Sequence, residues 1–65
     1  MSSYKITDFE IGEKVYSEKN PNLSMIIVGM MLNREEICCE WLDGLGDTCS
    51  EEFLPHELLK IVDKV

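Results

Sequence analysis

The stretch that decides the fold is residues 37–44, which read ICCEWLDG. Its first, third and fifth residues are apolar, and they alternate with residues of mixed character. Successive side chains of a β-strand point to opposite faces, so this alternation predicts a strand over residues 35–43 with one face on a core. The same alternation places Cys39 on the core face and Cys38 on the other face. We therefore expect that the two adjacent cysteines do not act as a pair.

Upstream of this strand, residues 23–32 are almost continuously apolar, with three β-branched residues at positions 26–28. Hydrophobicity alone also allows a helix, but Gly29 and the β-branched residues favour a strand. An interior glycine often marks a bulge, at which the inward-facing side of a strand can change. The pattern predicts one long strand that bends near Gly29, followed by a two-residue turn at Asn33 and Arg34.

The remaining patterns divide the chain into short strands and loops. We expect a first strand over residues 9–16, a polar loop over 19–22, a hairpin loop over 43–46, a strand over 47–54, a helical turn over 55–59 and a last strand over 60–65. Pro55 supports the helical turn because proline suits the first helical position. Together these elements predict a mainly β fold, a small five-stranded SH3-like barrel with one short helical turn before the last strand.

A chain of 65 residues has room for one domain, and a core of this size gives only marginal stability unless something adds to it. We expect residues 1–8 to form an N-terminal tail and residues 9–65 to form the single β-barrel domain. Self-association would add stability, so the sequence leaves a homodimer open. The predicted structural core consists of Val15, Ile27, Val28, Ile37, Cys39, Trp41, Phe53 and Leu58.

The charge balance argues against direct binding of nucleic acid. Thirteen acidic and six basic residues give a net charge of −7. A phosphate backbone requires a positive footprint, and the basic residues here are scattered along the chain. We interpret the excess of acid first as a source of solubility. The alternative is that the protein imitates nucleic-acid phosphates and inhibits a nucleic-acid-binding protein.

Cysteine usage and apolar runs bear on the compartment. Three cysteines, two of them adjacent, make a poor disulfide framework. The N-terminal residues lack the apolar stretch of a signal peptide. The longest apolar run, residues 25–32, is far shorter than the ~20 residues that cross a bilayer. These features predict a cytoplasmic protein with free thiols and no membrane segment.

Four blocks of the sequence resemble a known family. They are Phe9-x-x-Gly12-x-x-Val15, Met25-x-Ile27-Val28, Cys39-x-Trp41-Leu42-Asp43-Gly44 and Phe53-x-Pro55-x-x-Leu58-Leu59. Together they are similar to the YodC-like family of small uncharacterised bacterial proteins. This chain departs from the family pattern at Glu13, at Leu42 and in a longer loop over residues 17–24. The resemblance implies a compact, barrel-like domain with no established enzyme activity or cofactor.

Cysteine and histidine chemistry is the first alternative to a binding function. A zinc site would use one of the adjacent cysteines with Cys49 and His56, but the chain lacks the paired C-x-x-C type of spacing that is common in structural sites. A catalytic cysteine activated by His56 would need a positive environment, whereas acidic residues flank the cysteines. Paired carboxylates are expected to be solvated, since so small a fold offers no evident pocket. We therefore predict no catalytic site, no metal and no cofactor.

An aromatic surface is the most specific functional feature that we predict. The alternation places Trp41 in the core. If its edge instead reaches the surface, Tyr16, Met25, Trp41 and Phe53 form an apolar patch ringed with acidic residues. Such a patch would suit a basic or apolar protein partner. The leading hypothesis is a non-enzymatic protein-interaction or accessory module, and the acidic mimic is the alternative.

Overall fold

The computed structural model describes residues 4–61 and contains one antiparallel sheet of five strands. The strands are β1 (Lys14–Ser17), β2 (Asn20–Met31), β3 (Glu36–Leu42), β4 (Thr48–Phe53) and β5 (Leu58–Lys60), and two short 3₁₀ turns cover Ile6–Asp8 and Pro55–Glu57. The strand order β4-β3-β2-β1-β5 confirms the mainly β class with five strands. The closed SH3-like barrel stays a prediction, because β4 and β5 are the edges of this sheet and no ladder joins them within the described residues.

A bulge in β2 sets which of its side chains face the core. The register against β3 shifts between Ile27 and Gly29, so Val28 is an extra residue at this point. The inward side consequently changes from Ile27 to Met30, as the interior glycine predicted. Val28 was predicted in the core, and this is wrong: it follows the buried Ile27 in regular alternation, so its side chain points to the outer face and is 40% exposed.

The core lies on one face of the sheet and includes residues that precede it. The buried apolar residues are Ile6, Phe9, Val15, Met25, Ile27, Ile37, Cys39 and Leu58. Trp41 and Phe53, which we expected to be core residues, are half-buried and pack against this cluster. They therefore belong to the border between the core and the surface.

The described part of the predicted N-terminal tail packs on the core. Ile6, in the first 3₁₀ turn, is 9% exposed. The ring of Tyr4 meets that of Phe9 edge-on, with 5.4 Å between their centroids. The boundary that we predicted between tail and domain therefore falls inside packed structure.

Lys60 of β5 fastens this N-terminal segment to the sheet. Its Nζ donates a hydrogen bond to the carbonyl oxygen of Asp8 and lies 3.0 Å from Oε2 of Glu13. The same ammonium lies 5.4 Å from the ring centroid of Tyr4 and 5.3 Å from that of Phe9, which are cation–π distances. Lys60, which is 52 positions away from Asp8 in the sequence, thus holds the N-terminal segment against the sheet.

Two boundaries near β1 differ from the prediction. The first strand begins at Lys14 instead of residue 9, because Phe9 is anchored in the core and the chain then turns before the sheet begins. The polar loop predicted over residues 19–22 is also wrong. Asn20 pairs with Ser17 across a two-residue turn, so β2 already begins at Asn20 despite the turn-forming composition.

The β2–β3 connection is longer than the predicted turn at Asn33 and Arg34. It covers residues 32–35, and the amide of Glu35 donates to the carbonyl oxygen of Leu32 at 3.3 Å. Glu35 has a φ of 53°, so a glutamate occupies the left-handed conformation that ends this turn. β3 consequently starts one residue later than predicted.

The chain after β4 forms the predicted turn and then a strand earlier than expected. The turn predicted over residues 55–59 ends at Glu57, because Leu58 is fully buried and pairs with β1. The predicted last strand over residues 60–65 overlaps β5 at Lys60, while residues 62–65 lie outside the described residues.

Candidate interaction groove

Three of the four residues predicted for the interaction patch line one groove. The groove lies between the β1–β2 turn and the inner face of β3 and β4, and its volume is about 100 Å³. Met25, Trp41 and Phe53 contribute to its lining, whereas Tyr16 does not. The sequence pattern thus located most of the apolar part of this site.

The β3–β4 hairpin supplies one wall. Trp41 follows the buried Cys39 on the inner face of β3. Glu51 of β4 pairs directly with Cys39, and Phe53 lies two residues further along the same face of β4. Because β4 is an edge strand within residues 4–61, no further strand of this sheet covers that wall. Trp41 and Phe53 are therefore half-buried and remain available at the surface.

The β3–β4 loop holds the end of β3 that carries Trp41. Oδ1 of Asp43 accepts hydrogen bonds from the amides of Leu45 at 2.8 Å and Asp47 at 3.0 Å. Backbone hydrogen bonds, first from Asp47 and then from Leu45, hold the pKa of the Asp43 carboxyl below its ordinary value. Gly46 adopts a φ of 85°, which closes the turn in a conformation that favours glycine.

The opposite wall and the floor come from β1, β2 and the turn between them. Ser17 is 7% exposed, and its Oγ accepts a hydrogen bond from the amide of Lys19 at 3.3 Å. Leu23 and Met25 lie on the same face of β2, and Met25 is 2% exposed. Met25 therefore forms the floor of the groove, and Leu23 stands half-buried beside it.

Tyr16 lies away from this site because strand alternation sends it to the other face. Its neighbours in β1 are buried, while Tyr16 itself pairs with Leu59 of the edge strand β5.

Leu23 and Lys19 also line the groove, and neither was predicted from the sequence. Leu23 could have been predicted, because it alternates with Met25 on the same face of β2. The position of Lys19 depends on the turn into β2, which was not predicted.

The groove carries one charge of each sign. Glu51 is exposed on the β4 side, and Lys19 is exposed in the β1–β2 turn on the other side. Between these two charged side chains lies an apolar centre made by Trp41, Phe53 and Leu23. This arrangement is suited to an amphipathic ligand and offers no pair of adjacent titratable groups for proton transfer.

The three cysteines occupy different environments. Cys39 is fully buried, and burial, followed by the charge of Cys38, raises the pKa of the Cys39 thiol to about 12. Cys38 is half-buried on the other face. Sγ of Cys49 lies 3.8 Å from Oδ2 of Asp43, to which it donates. In the part of the chain that the structure describes, no three His, Cys, Asp or Glu side chains are grouped as a metal site would require.

His56 lies in the second 3₁₀ turn and is exposed, apart from the groove. It borders a wider depression of about 590 Å³, where the first 3₁₀ turn faces the β2–β3 loop. Tyr4, Leu32 and Glu35 also line that depression, and no cysteine does. The cysteine–histidine pairing considered from the sequence therefore has no geometric counterpart at this place.

Comparison with protein-family models, curated proteins and solved structures gives no match to this chain. The resemblance to the YodC-like family therefore stays a prediction that rests on the four sequence blocks. Within residues 4–61, none of the helices has the length and apolar character needed to cross a bilayer.

Proposed function

We propose that this protein is a non-enzymatic interaction module whose groove binds a short segment of a protein partner. One observation carries the proposal: Trp41 and Phe53 stand half-buried over the buried Met25. Tryptophan on a surface of this kind is the residue type that most often dominates binding energy at protein interfaces.

The size of the groove favours a peptide anchor over a small-molecule substrate. Its volume of about 100 Å³ is well below the ~300–1,000 Å³ of typical ligand pockets. A space of this size holds one apolar side chain, with the rest of the segment lying across the surface. Affinity then comes from covering Trp41 and Phe53, at roughly 25 cal/mol for each Å² of apolar surface removed from water.

The charges favour a partner segment with basic residues beside the anchor. Glu51 stands on the β4 wall, and the net charge of the whole chain is −7. A lysine or arginine stem that crosses the face of Trp41 would bring its charge toward Glu51. Lys19 on the opposite wall favours a neutral or acidic position at the other end of the same segment.

We extend the proposal to the SH3-like architecture and to a cytoplasmic location. The strand order, the bulged β2 and the 3₁₀ turn before β5 support an SH3-like barrel. The three free cysteines support a reducing compartment.

The proposal can be tested with short random peptides displayed on phage and selected at physiological ionic strength. Trp41 is the only tryptophan, so its fluorescence reports directly on the groove. We expect the selected peptides to share an apolar anchor next to Lys or Arg and to shift the emission of Trp41. The variants Leu23→Ser and Trp41→Ala should each weaken binding, the second by at least about tenfold.

The matched control is Leu45→Ser, which changes an apolar side chain that is 88% exposed in the β3–β4 loop. Circular dichroism would establish that each variant remains folded. If peptides bind equally well to Trp41→Ala and Leu45→Ser, the groove is not the site. Binding that depends on salt but not on Trp41 would instead favour the acidic mimic.

A further inference from the structure

The outer face of the sheet carries a second apolar surface, separate from the groove. Its apolar part, the β2 stripe, consists of Ile26, Val28 and Met31, each 40% exposed. We propose that the β2 stripe and the carboxylates beside it form a docking surface for a basic amphipathic helix of a protein partner. The proposal does not depend on the proposed function of the groove, because the two surfaces lie on opposite faces.

The register of the sheet places the β2 stripe next to acidic side chains. Ile26 pairs with Glu40 of β3 on one side and with Lys14 of β1 on the other, and Met31 pairs with Glu36 at the far end of β3. Between them Val28 lies on the same outer face and fills the centre of the stripe, and the bulge after it brings Met31 to this face. Single exposed apolar residues are ordinary, but three along one strand form a continuous patch.

Strand β4 adds another carboxylate to the outer face of the sheet. Glu52 pairs with Cys38, which lies on the outer face between Glu36 and Glu40. The ion pairs within residues 4–61 join Lys60 to Glu13 and Arg34 to Glu36, so Glu40 and Glu52 take part in neither. These two carboxylates are thus available to cations of a partner.

The shape and length of the stripe fit a helix. Five residue steps along β2 from Ile26 to Met31 span roughly 17 Å at ~3.3 Å each. About three turns of α-helix cover the same distance. A helix with one apolar face can lie on a sheet face in the way that helices cover sheets within domains.

The charge decides which occupant fits. A second copy of this chain would carry another net charge of −7 and the same carboxylates, so like charges would oppose one another. An anionic membrane surface is disfavoured for the same reason. A helix with lysine or arginine along the flank that faces β3 and β4 meets carboxylates instead, which gives the complementarity that steers association.

The probe is a synthetic amphipathic helix built from leucine and lysine, with leucines on one face. Amide chemical shifts in two-dimensional NMR spectra of the isotope-labelled protein should change on β2 and on the outer positions of β3 and β4. Replacing the apolar centre, as Val28→Ser, should weaken binding. The double variant E40Q/E52Q should weaken it by roughly fivefold at low salt.

The matched control is the double variant E10Q/D47N, which removes the same charge at two exposed positions in loops outside β2, β3 and β4. It should bind the peptide about as well as the unchanged protein. Equal losses of affinity in the two double variants would show that the peptide responds only to the net charge of the protein, and would overturn the proposal. Failure of the peptide to bind, or shifts concentrated on the Trp41 indole and the groove, would overturn it as well.

Self-association is the remaining outcome. If the protein dimerises in sedimentation experiments, more strongly as salt is added, and Val28→Ser abolishes the dimer, the stripe is an interface between copies and the proposal is wrong. The variant Trp41→Ala separates the two surfaces. Binding of the helix that is unchanged in Trp41→Ala supports the β2 stripe whether or not the groove binds peptides.

Discussion

Cys38 and Cys39 are neighbours in the chain, and they report on the two faces of one sheet. Cys39 is fully buried among apolar side chains, while Cys38 is half-buried on the face that carries glutamates. The same contrast separates Ile37, which is fully buried, from Val28, which is 40% exposed. Both faces hold apolar residues, so hydrophobicity alone does not distinguish them. The inner face stabilises the fold, and the outer face leaves apolar side chains exposed.

The largest effect is expected from truncating matched apolar residues on the two faces. The variant Ile37→Ala should lower the free energy of unfolding by about 3 kcal/mol, because it leaves a cavity in a closed core. Val28→Ala should change it by less than about 0.5 kcal/mol. Urea unfolding followed by circular dichroism measures both. If Ile37→Ala fails to fold, Ile37→Val should lose about 1 kcal/mol. Similar losses at positions 28 and 37 would mean that Val28 does not lie on the exposed outer face.

The next effect concerns pH. Burial raises the pKa of Cys39 from 9.0 to about 12, so in that range the folded protein holds this proton while the unfolded chain has lost it. The contribution to stability is complete below about pH 9 and falls as the pH rises toward about 12. The unchanged protein should therefore lose more stability between about pH 8 and pH 10.5 than Cys39→Ala does. Parallel losses in the two proteins would contradict the burial of this thiol.

A smaller difference is expected from removing each sulfur in turn. Cys39→Ala should cost about 1 kcal/mol through lost packing, whereas Cys38→Ala should be close to neutral. Alkylation by iodoacetamide in the native protein, followed by mass spectrometry, provides a second measurement. Cys38 should react before Cys39, and Cys39 should react once urea unfolds the chain. Equal, large losses of stability in both variants would show that the assignment of faces is wrong.

The smallest effect is expected at Gly29, beside the bulge where the inward-facing side of β2 changes. A Cβ added at Gly29 would lie 3.9 Å from Cβ of Cys38, an ordinary contact, and the φ of Gly29 is outside the left-handed region. Gly29→Ala should therefore raise stability by up to about 0.5 kcal/mol through the unfolded state. Gly46→Ala is the contrasting variant, since its φ of 85° should make it destabilising by about 1 kcal/mol. A large loss at Gly29 would show that the bulge requires glycine.

Sequence pattern predicts the sheet best where alternation is uninterrupted. Residues in β3 alternate without a bulge, so both the strand and its faces could be assigned from the sequence. In β2 an interior glycine indicated the bulge, but three consecutive β-branched residues do not show which of them faces inward, and Val28 was misplaced. The turn at Glu35 was missed because a left-handed glutamate leaves no signal in composition.

Most of the other features that the sequence did not predict depend on contacts between residues far apart in the chain. Tyr4 and Ile6 were assigned to an N-terminal tail, whereas in the structure Lys60 holds their segment against the core. At the groove, Trp41 and Phe53 were predicted in the core, with a surface patch as the alternative, and alternation alone does not show that an edge strand leaves them half-buried. Lys19 was not identifiable, since its place depends on how β2 begins.

The pairing of β1 with β5 has a consequence for the synthesis of the protein. β1 lies between β2 and β5, and Val15 pairs with Lys60. While a ribosome makes the chain, the hairpins formed by β1 to β4 emerge first, and Phe9 and Val15 stay partly uncovered until residue 60 has left the exit tunnel. Nascent chains of this protein are therefore expected to complete the core late, because the contacts that complete it are also the most distant in sequence.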